Sequence, residues 1–393
     1  MASMRRIDDQ ERRARLGVRH RLANPADDPV EATSALTALH SSDPATVFLS
    51  VWARVPGFET GHLESALYSD RSLVRLYGMR RTLWVIARHL VPHVHNSSTR
   101  FIGESERRRT VRLLEDGGVT DDGDAWLDEV IPKTLAVIAE HGQILTRDLT
   151  RVLPELQGRL TFHNRQGRLM ATTGLSSRTL LQLAVESRVI RGQPTGTWIS
   201  GQYRWALTDH WLGMPIQSVD VAEASATLLA SWLRSFGPAT EADVRWWTGW
   251  PVRQVRKALE DVAACTVELA QGIGYVLAED VGPVEIHRDW VAILPSLDAT
   301  TMGWKQREWY LGRHADLLFD RNGNAGPTIW VNGRIVGGWA QRKDGNIVHE
   351  LLEDVGKEAA TDIEARLADL QGWLGETTIT PRFRSPHDKK LAP

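Results

Sequence analysis

The chain has 393 residues, room for two to four modules, and its 42% apolar and 24% charged residues are ordinary for a globular protein. No apolar run approaches the ~20 residues of a membrane span, and a single cysteine, Cys265, excludes an internal disulfide framework and a cysteine zinc cluster. A formal net charge of −2 means that the chain as a whole is not a basic nucleic-acid binder, so any such surface is local.

The start, MASMRRIDDQERRARLG, has no apolar core and does not read as a secretory signal, which fits a bacterial-type cytoplasm. Of the 47 basic residues only seven are lysines, an excess of arginine that fits either a GC-rich genome or phosphate recognition. The clusters Arg12, Arg13, Arg15, Arg19, Arg21 and Arg107, Arg108, Arg109 are either solvated helix faces or phosphate contacts.

A supersecondary unit recurs three times. In the first copy, residues 30–39 are expected as a helix, Asp43-Pro44 opens a second that runs to about Arg54, and residues 60–68 make a third. Leu73–Tyr77 and Arg81–Ile86 then pair as strands. In the second copy, 128–140 is helical and Gly142 ends it. Thr146 is the expected N-cap of the next helix, with Asp148 in its first turn. Residues 175–187 form a third helix, followed by strands 189–199 and 202–207 about a Pro194–Gly196 turn. The third copy has a helix from Val221 to about Phe236, a second capped by Thr240 with Asp243, a third opened by Pro251, and a hairpin at 264–278. Three helices and a two-stranded wing predict a winged helix-turn-helix, whose third helix usually enters a DNA groove while the wing meets the backbone. Scaffolding or protein binding is the other use of such a unit.

Beyond the third copy the period changes. Asn332-Gly333 predicts a type I′ hairpin turn and Asp344-Gly345 the next, so residues 284–352 are expected to form a small antiparallel β-meander. A helix follows near 357–373, and PRFRSPHDKKLAP reads as a loose polar tail. The expected fold is therefore α+β, mainly α: three tandem units plus the meander, with boundaries at 1–115, 116–215, 216–282 and 283–393.

Several stretches carry a resemblance. LPSLDATTMGWKQREWYL, GNAGPTIWVNGRIVGGW and LLEDVG near the C-terminus, with DPATVFLSVWARV (43–55) and SLVRLYGMRRTLWVI (72–86), resemble the AlkZ-like family of winged-helix DNA glycosylases, over about residues 12–385. The resemblance implies three winged helices in a C shape around double-stranded DNA. It also implies hydrolysis of the N-glycosidic bond of N7-alkylated purines, bulky adducts included, with no metal or organic cofactor. DNA repair or self-resistance to a genotoxin would be the setting, and a monomer at the nucleoid the form.

One segment departs from the family. There the catalytic pair is Gln, an apolar residue, then Gln or Asp, just before the DP-type helix start. Here that stretch is Leu39-His40-Ser41-Ser42-Asp43-Pro44, so His40 and Ser42 occupy the catalytic positions. A histidine can act as a base near neutrality, whereas a serine can only hold water. His40 and Ser42 converge only if the helix ends there. Asp43, the nearest carboxylate, is either the cap of the helix that Pro44 opens or a group opposite the sugar.

Arg80 and Arg81 at the first wing, Arg54 at the end of the second helix, and Lys305 and Arg307 in the C-terminal block are the candidate DNA contacts. Trp304 is expected in the core. Trp246, Trp247 and Trp250 are expected as core or interface. Asp298 is expected to cap a helix near 300–308. His93 and His95 lack a third partner for a metal site. With no conventional carboxylate or amide at 40–42, a non-catalytic DNA binder, a damage sensor or regulator, stands as the alternative to an enzyme.

Overall fold

The computed structural model describes residues 4–163, 169–285 and 289–393. Asp8 caps α1 (Asp9–Arg19), accepting from the Glu11 N–H at 2.8 Å. The arginines of this helix face inward. Arg12 stacks on Trp309 at 4.1 Å, Arg15 donates to the carbonyls of Asp280 and Gly282, and Arg19 pairs with Asp280 at 2.7 Å. This cluster therefore straps the N-terminal helix to later parts of the chain.

The first unit contains α2 (Pro29–Ala35), β1 (Ala38–His40), α3 (Pro44–Trp52), α4 (Thr60–Glu64), β2 (Leu73–Tyr77) and β3 (Leu83–Ala87), with sheet order β1-β3-β2. The helix expected over 30–39 stops at Ala35. Thr37 turns the backbone to φ 59°, and residues 38–40 pair with β3 instead. A helical connection follows: α5 (Val91–Val94), a π-helical turn at His95–Thr99, and α6 (Arg100–Asp116).

The second unit repeats that order with α7 (Gly123–His141), β4 (Gln143–Leu145), α8 (Thr146–Val152), α9 (Leu175–Val185), β7 (Val189–Pro194) and β8 (Tyr203–Leu207), in sheet order β4-β8-β7. Between α8 and α9 it inserts a hairpin with no forewarning in the sequence pattern, β5 (Arg159–His163) and β6 (Leu169–Gly174). Thr146 is not the expected cap: it is the first helical residue, and its hydroxyl accepts from the Trp205 indole at 3.0 Å. α9 is buried along most of its length and presents Ser177, Arg178 and Leu181 to an open cavity.

After α10 (Thr208–Leu212) the third unit has α11 (Val221–Phe236), α12 (Glu241–Thr248), α13 (Val252–Asp261), β9 (Cys265–Leu269) and β10 (Gly272–Val276). A single bridge, Ala239 to Tyr275, stands where the other units have their first strand. Thr240 and Asp243 form the expected capping box.

The last part is a four-stranded antiparallel sheet in the order β11 (Val291–Leu294), β12 (Thr328–Val331), β13 (Arg334–Gln341), β14 (Ile347–Leu351). The long β11–β12 connection carries α14 (Glu308–Leu311) and α15 (Ala315–Leu318), and no helix forms at 300–307. Residues 286–288 of the expected meander lie outside the described residues. Asn332 and Gly333 have φ 49° and 82°, both positive as a type I′ turn requires. α16 (Lys357–Leu374) follows, and the tail is not loose: Ser385 caps α17 (Pro386–Leu391), which packs on β13 and β14.

One apolar core joins the first unit, the third unit and the meander, with Trp84, Trp232, Trp247, Trp330 and Trp339 fully buried. The helices of the second unit pack a separate core around Leu127, Ile138, Leu149 and Leu183, while Ile190 and Ala206 of its strands join the shared one. No helix among the described residues is long and apolar enough to cross a membrane.

Candidate nucleic-acid interface and the 40–43 segment

β1 delivers His40 from a strand rather than a helix end. His40 lies opposite Trp84 in the ladder, and its ring meets that indole edge-on at 4.9 Å. The side chain is 5% exposed. Burial lowers its pKa to about 3, with the charge of Arg80 acting in the same direction. His40 is therefore neutral at pH 7. Its Nδ1 takes a long 3.5 Å contact from the Ser42 N–H.

Asp43 has both oxygens committed. One accepts from Ala45 N–H at 3.2 Å and caps α3; the other accepts from the Arg382 N–H at 2.9 Å. Burial raises its pKa, against the two backbone bonds and the Arg382 charge. The cap reading accounts for one oxygen of this carboxylate, and the bond to Arg382 engages the other. Arg382 also donates from Nη1 to the Ser42 carbonyl at 3.2 Å, so the tail clasps the segment across 340 residues.

Ser42 sits on the wall of a cavity of about 490 Å³ between the first unit, the second unit and the tail. Arg81, Arg109, Arg178, Arg191 and Arg382 line it. Glu106 beneath pairs with Arg81, with Arg178 at 2.9 Å and with Arg109 at 3.7 Å. Burial raises the Glu106 carboxyl, but Arg81 and Arg178 outweigh it and hold the pKa below the usual value.

A second cationic group lies over Trp246. Arg80, at φ 54° in the tight β2–β3 turn, places its guanidinium 4.1 Å over Trp246, and Arg307 lies 4.8 Å over the same ring. Burial and the Arg307 charge lower Arg80 to about 10, so it stays protonated at pH 7. Its Nε is buried with no partner. Arg307 donates to the Trp304 carbonyl at 2.8 Å, and the Lys305 side chain is exposed. Trp304, Trp247 and Trp250 are core residues, as expected.

Arg54 is a correction. It is not a DNA contact, because its guanidinium is fully buried with Asp298, both side chains 0% exposed. Its five N–H donors are satisfied by Asp298, Thr300 and the carbonyls of His20 and Ser50. Asp298 accepts from the Thr300 N–H at 2.9 Å, but no helix follows there, and its main partner is Arg54. The structure thus brings Ser42 and Arg81 to one cavity, whose lining does not include His40, and packs His40 on Trp84 within reach of the Arg80 charge. Lys305 lines neither feature. Arg382 and Arg191 were missed. Arg382 lies in a segment whose composition reads as tail, and Arg191 lies in a strand whose neighbours in space are remote in sequence.

A family model described as DNA glycosylase AlkZ-like matches residues 33–373. Among solved structures, the Streptomyces sahachiroi DNA glycosylase AlkZ superposes with a TM-score of 0.70 at 18% identity, covering 93% of this chain and 97% of that one. At that identity the likeness is one of fold. No curated protein matches the chain.

Proposed function

The chain belongs to the AlkZ-like family of DNA glycosylases, and on that premise we propose that it hydrolyses the N-glycosidic bond of N7-alkylated purines, bulky adducts included, in double-stranded DNA. The observation that carries the reading is the position of Ser42, at the catalytic place of the family pattern and on the wall of an arginine-lined cavity. The helix–strand–helix–helix–strand–strand order, twice with the first strand beside the third, supports three winged helices arranged in tandem. We keep the boundaries 1–115, 116–215, 216–282 and 283–393 for these units and the meander, and a C-shaped monomer acting at the nucleoid in DNA repair or genotoxin resistance. The buried α9 favours an approach through wings and cavity over insertion of every third helix.

The chemistry follows from what the site lacks. Cleavage builds positive charge on the sugar, and water then attacks. An N7-alkylated purine is already a cation, so its departure needs no acid. Neutral His40 is too weak a base to deprotonate water near pH 7; it orients the Ser42 backbone. The Ser42 hydroxyl holds the water that bonds the sugar C1′ once the purine has left with the glycosidic electron pair, and that water gives its proton to solvent. A site with this little charge stabilisation limits its substrates to bases whose bonds are already labile.

The test is base release from duplexes carrying N7-methylguanine, a bulky N7 adduct or uracil, read by alkaline cleavage of the abasic site. Release is expected from the first two and not from uracil. Ser42→Ala should slow it about 10²-fold with unchanged DNA affinity, the size of effect seen when one positioned polar group is removed from a catalytic site. Tight binding without release from any adduct would sink the enzyme. It would favour the second reading, a non-catalytic DNA binder, which the lack of a free carboxylate at residues 40–43 supports.

A further inference from the structure

The charges in the cavity beside Ser42 fall into two groups. Arg81, Arg109 and Arg178 share Glu106. Arg191 pairs with no carboxylate among the described residues, while Arg382 makes no ion pair there but lies close enough to Asp43 for its charge to lower that carboxyl. Arg191 is half-buried. Its Nη2 donates to the Tyr77 hydroxyl at 3.2 Å, and its Nε is buried with no partner. Its guanidinium lies 5.5 Å from the ring centres of both Tyr203 and Trp205, which restrict its orientation. Arg382 is held from its own backbone by Asp43 and reaches the Ser42 carbonyl through Nη1. Arg191 is thus held by its aromatic neighbours, Arg382 is exposed and tethered through its backbone, and both line the same cavity.

A half-buried guanidinium held without a counter-ion is costly to the fold. Five cations beside two carboxylates, Glu106 and Asp43, also make a poor pocket for a cationic purine standing alone. Both difficulties disappear if an anion enters with the base. We propose that this cavity seats successive phosphates of the strand that carries the lesion, with Arg191 and Arg382 as the two cations that bind them. The proposal rests on the DNA-directed reading above and extends it. The phosphates would neutralise the seat and fix the sugar beside Ser42, so the ligand must be a strand rather than a nucleoside.

The experiment is fluorescence anisotropy of the full-length protein on an undamaged labelled duplex, between about 50 and 200 mM salt. Arg191→Ala and Arg382→Ala should each lower the slope of log affinity against log salt by about 1. The double variant should bind about 100-fold more weakly at low salt. Arg382→Lys and Arg191→Lys, which keep the charge, should recover most of the slope. Arg366→Ala removes an arginine that stacks on Trp52 outside the cavity, and should leave the slope unchanged. Free N7-methylguanosine should not compete for the duplex, whereas an unlabelled oligonucleotide should.

Wild-type slopes in folded Arg191→Ala and Arg382→Ala would overturn the seat, as would an equal loss in Arg366→Ala. If Arg382→Ala fails to fold, Arg191→Gln reads the same seat without touching the 40–43 segment. The two readings fail separately. Reduced slopes with no base release by the wild type leave the seat standing without the enzyme; base release with unchanged slopes leaves the enzyme without the seat.

Discussion

Arg54→Ala is expected to lower the unfolding free energy by about 3–5 kcal/mol, because it leaves the Asp298 carboxylate buried without its charge partner. Burial alone would raise Asp298; the Arg54 charge, the Arg54 and Ser50 hydrogen bonds and the Thr300 N–H outweigh it and hold its pKa below the usual value. The pair joins the end of α3 to the β11–β12 connection, 244 residues away. Through Thr300, which also bonds His20 at 2.8 Å, it reaches the end of α1. Urea unfolding of Arg54→Ala, Asp298→Asn and the double variant Arg54→Met with Asp298→Asn measures the effect. The double variant should recover part of the loss, since it leaves no unpaired ion. If Arg54→Ala unfolds with the wild type but binds DNA with a reduced salt slope, the buried pair is unimportant and the residue is a DNA contact after all.

The contrast between Arg54 and Asp43 shows where the sequence is legible. Asp43-Pro44, Thr240 with Asp243, and Asn332-Gly333 all act on backbone within four residues, and each forms as its local chemistry dictates. β1 was not legible: ALH follows ALT in a run that favours a helix, and it becomes a strand only because β3, 46 residues on, offers an edge. That one change moves His40 from an exposed helix end to a packed position against Trp84. Arg54 and Arg382 are harder still, since each looks like a solvent-facing cation near the end of a segment. What each does is set by a carboxylate hundreds of residues distant. The family pattern located the 40–42 segment, but the cavity needs the second unit and the tail, which no local rule brings there.

Lowering the pH from 7.5 to 5 is expected to cost about 4 kcal/mol of stability, about 2 from each of His20 and His40. Burial lowers both to about 3 from an ordinary 6.5. The Arg54 charge adds to burial at His20, where Asp298 opposes it, and Arg80 adds at His40. A depressed histidine favours the neutral folded form, so its contribution is intact above pH 6.5. As the pH falls below that value, the unfolded chain takes up a proton and the folded chain does not. Stability is then lost at about 1.4 kcal/mol per unit for each group, until the folded pKa is reached. His93, His95 and His387 are lowered too and act in the same sense, while the raised Asp43 acts in the opposite one. Asp298 contributes only below its ordinary 3.8, outside this window. Denaturant midpoints from pH 7.5 to 5 should therefore fall steadily, and His20→Gln and His40→Gln should each remove about one proton's worth of slope. Unchanged slopes in both variants would show that neither ring is held neutral. His40→Gln also separates orientation from base catalysis, since an amide can accept from Ser42 but cannot titrate. Retained base release in that variant, with a rate flat from pH 6 to 8 in the wild type, is the outcome expected of a neutral positioning residue; a rate rising through pH 6.5 that His40→Gln abolishes would make His40 the base.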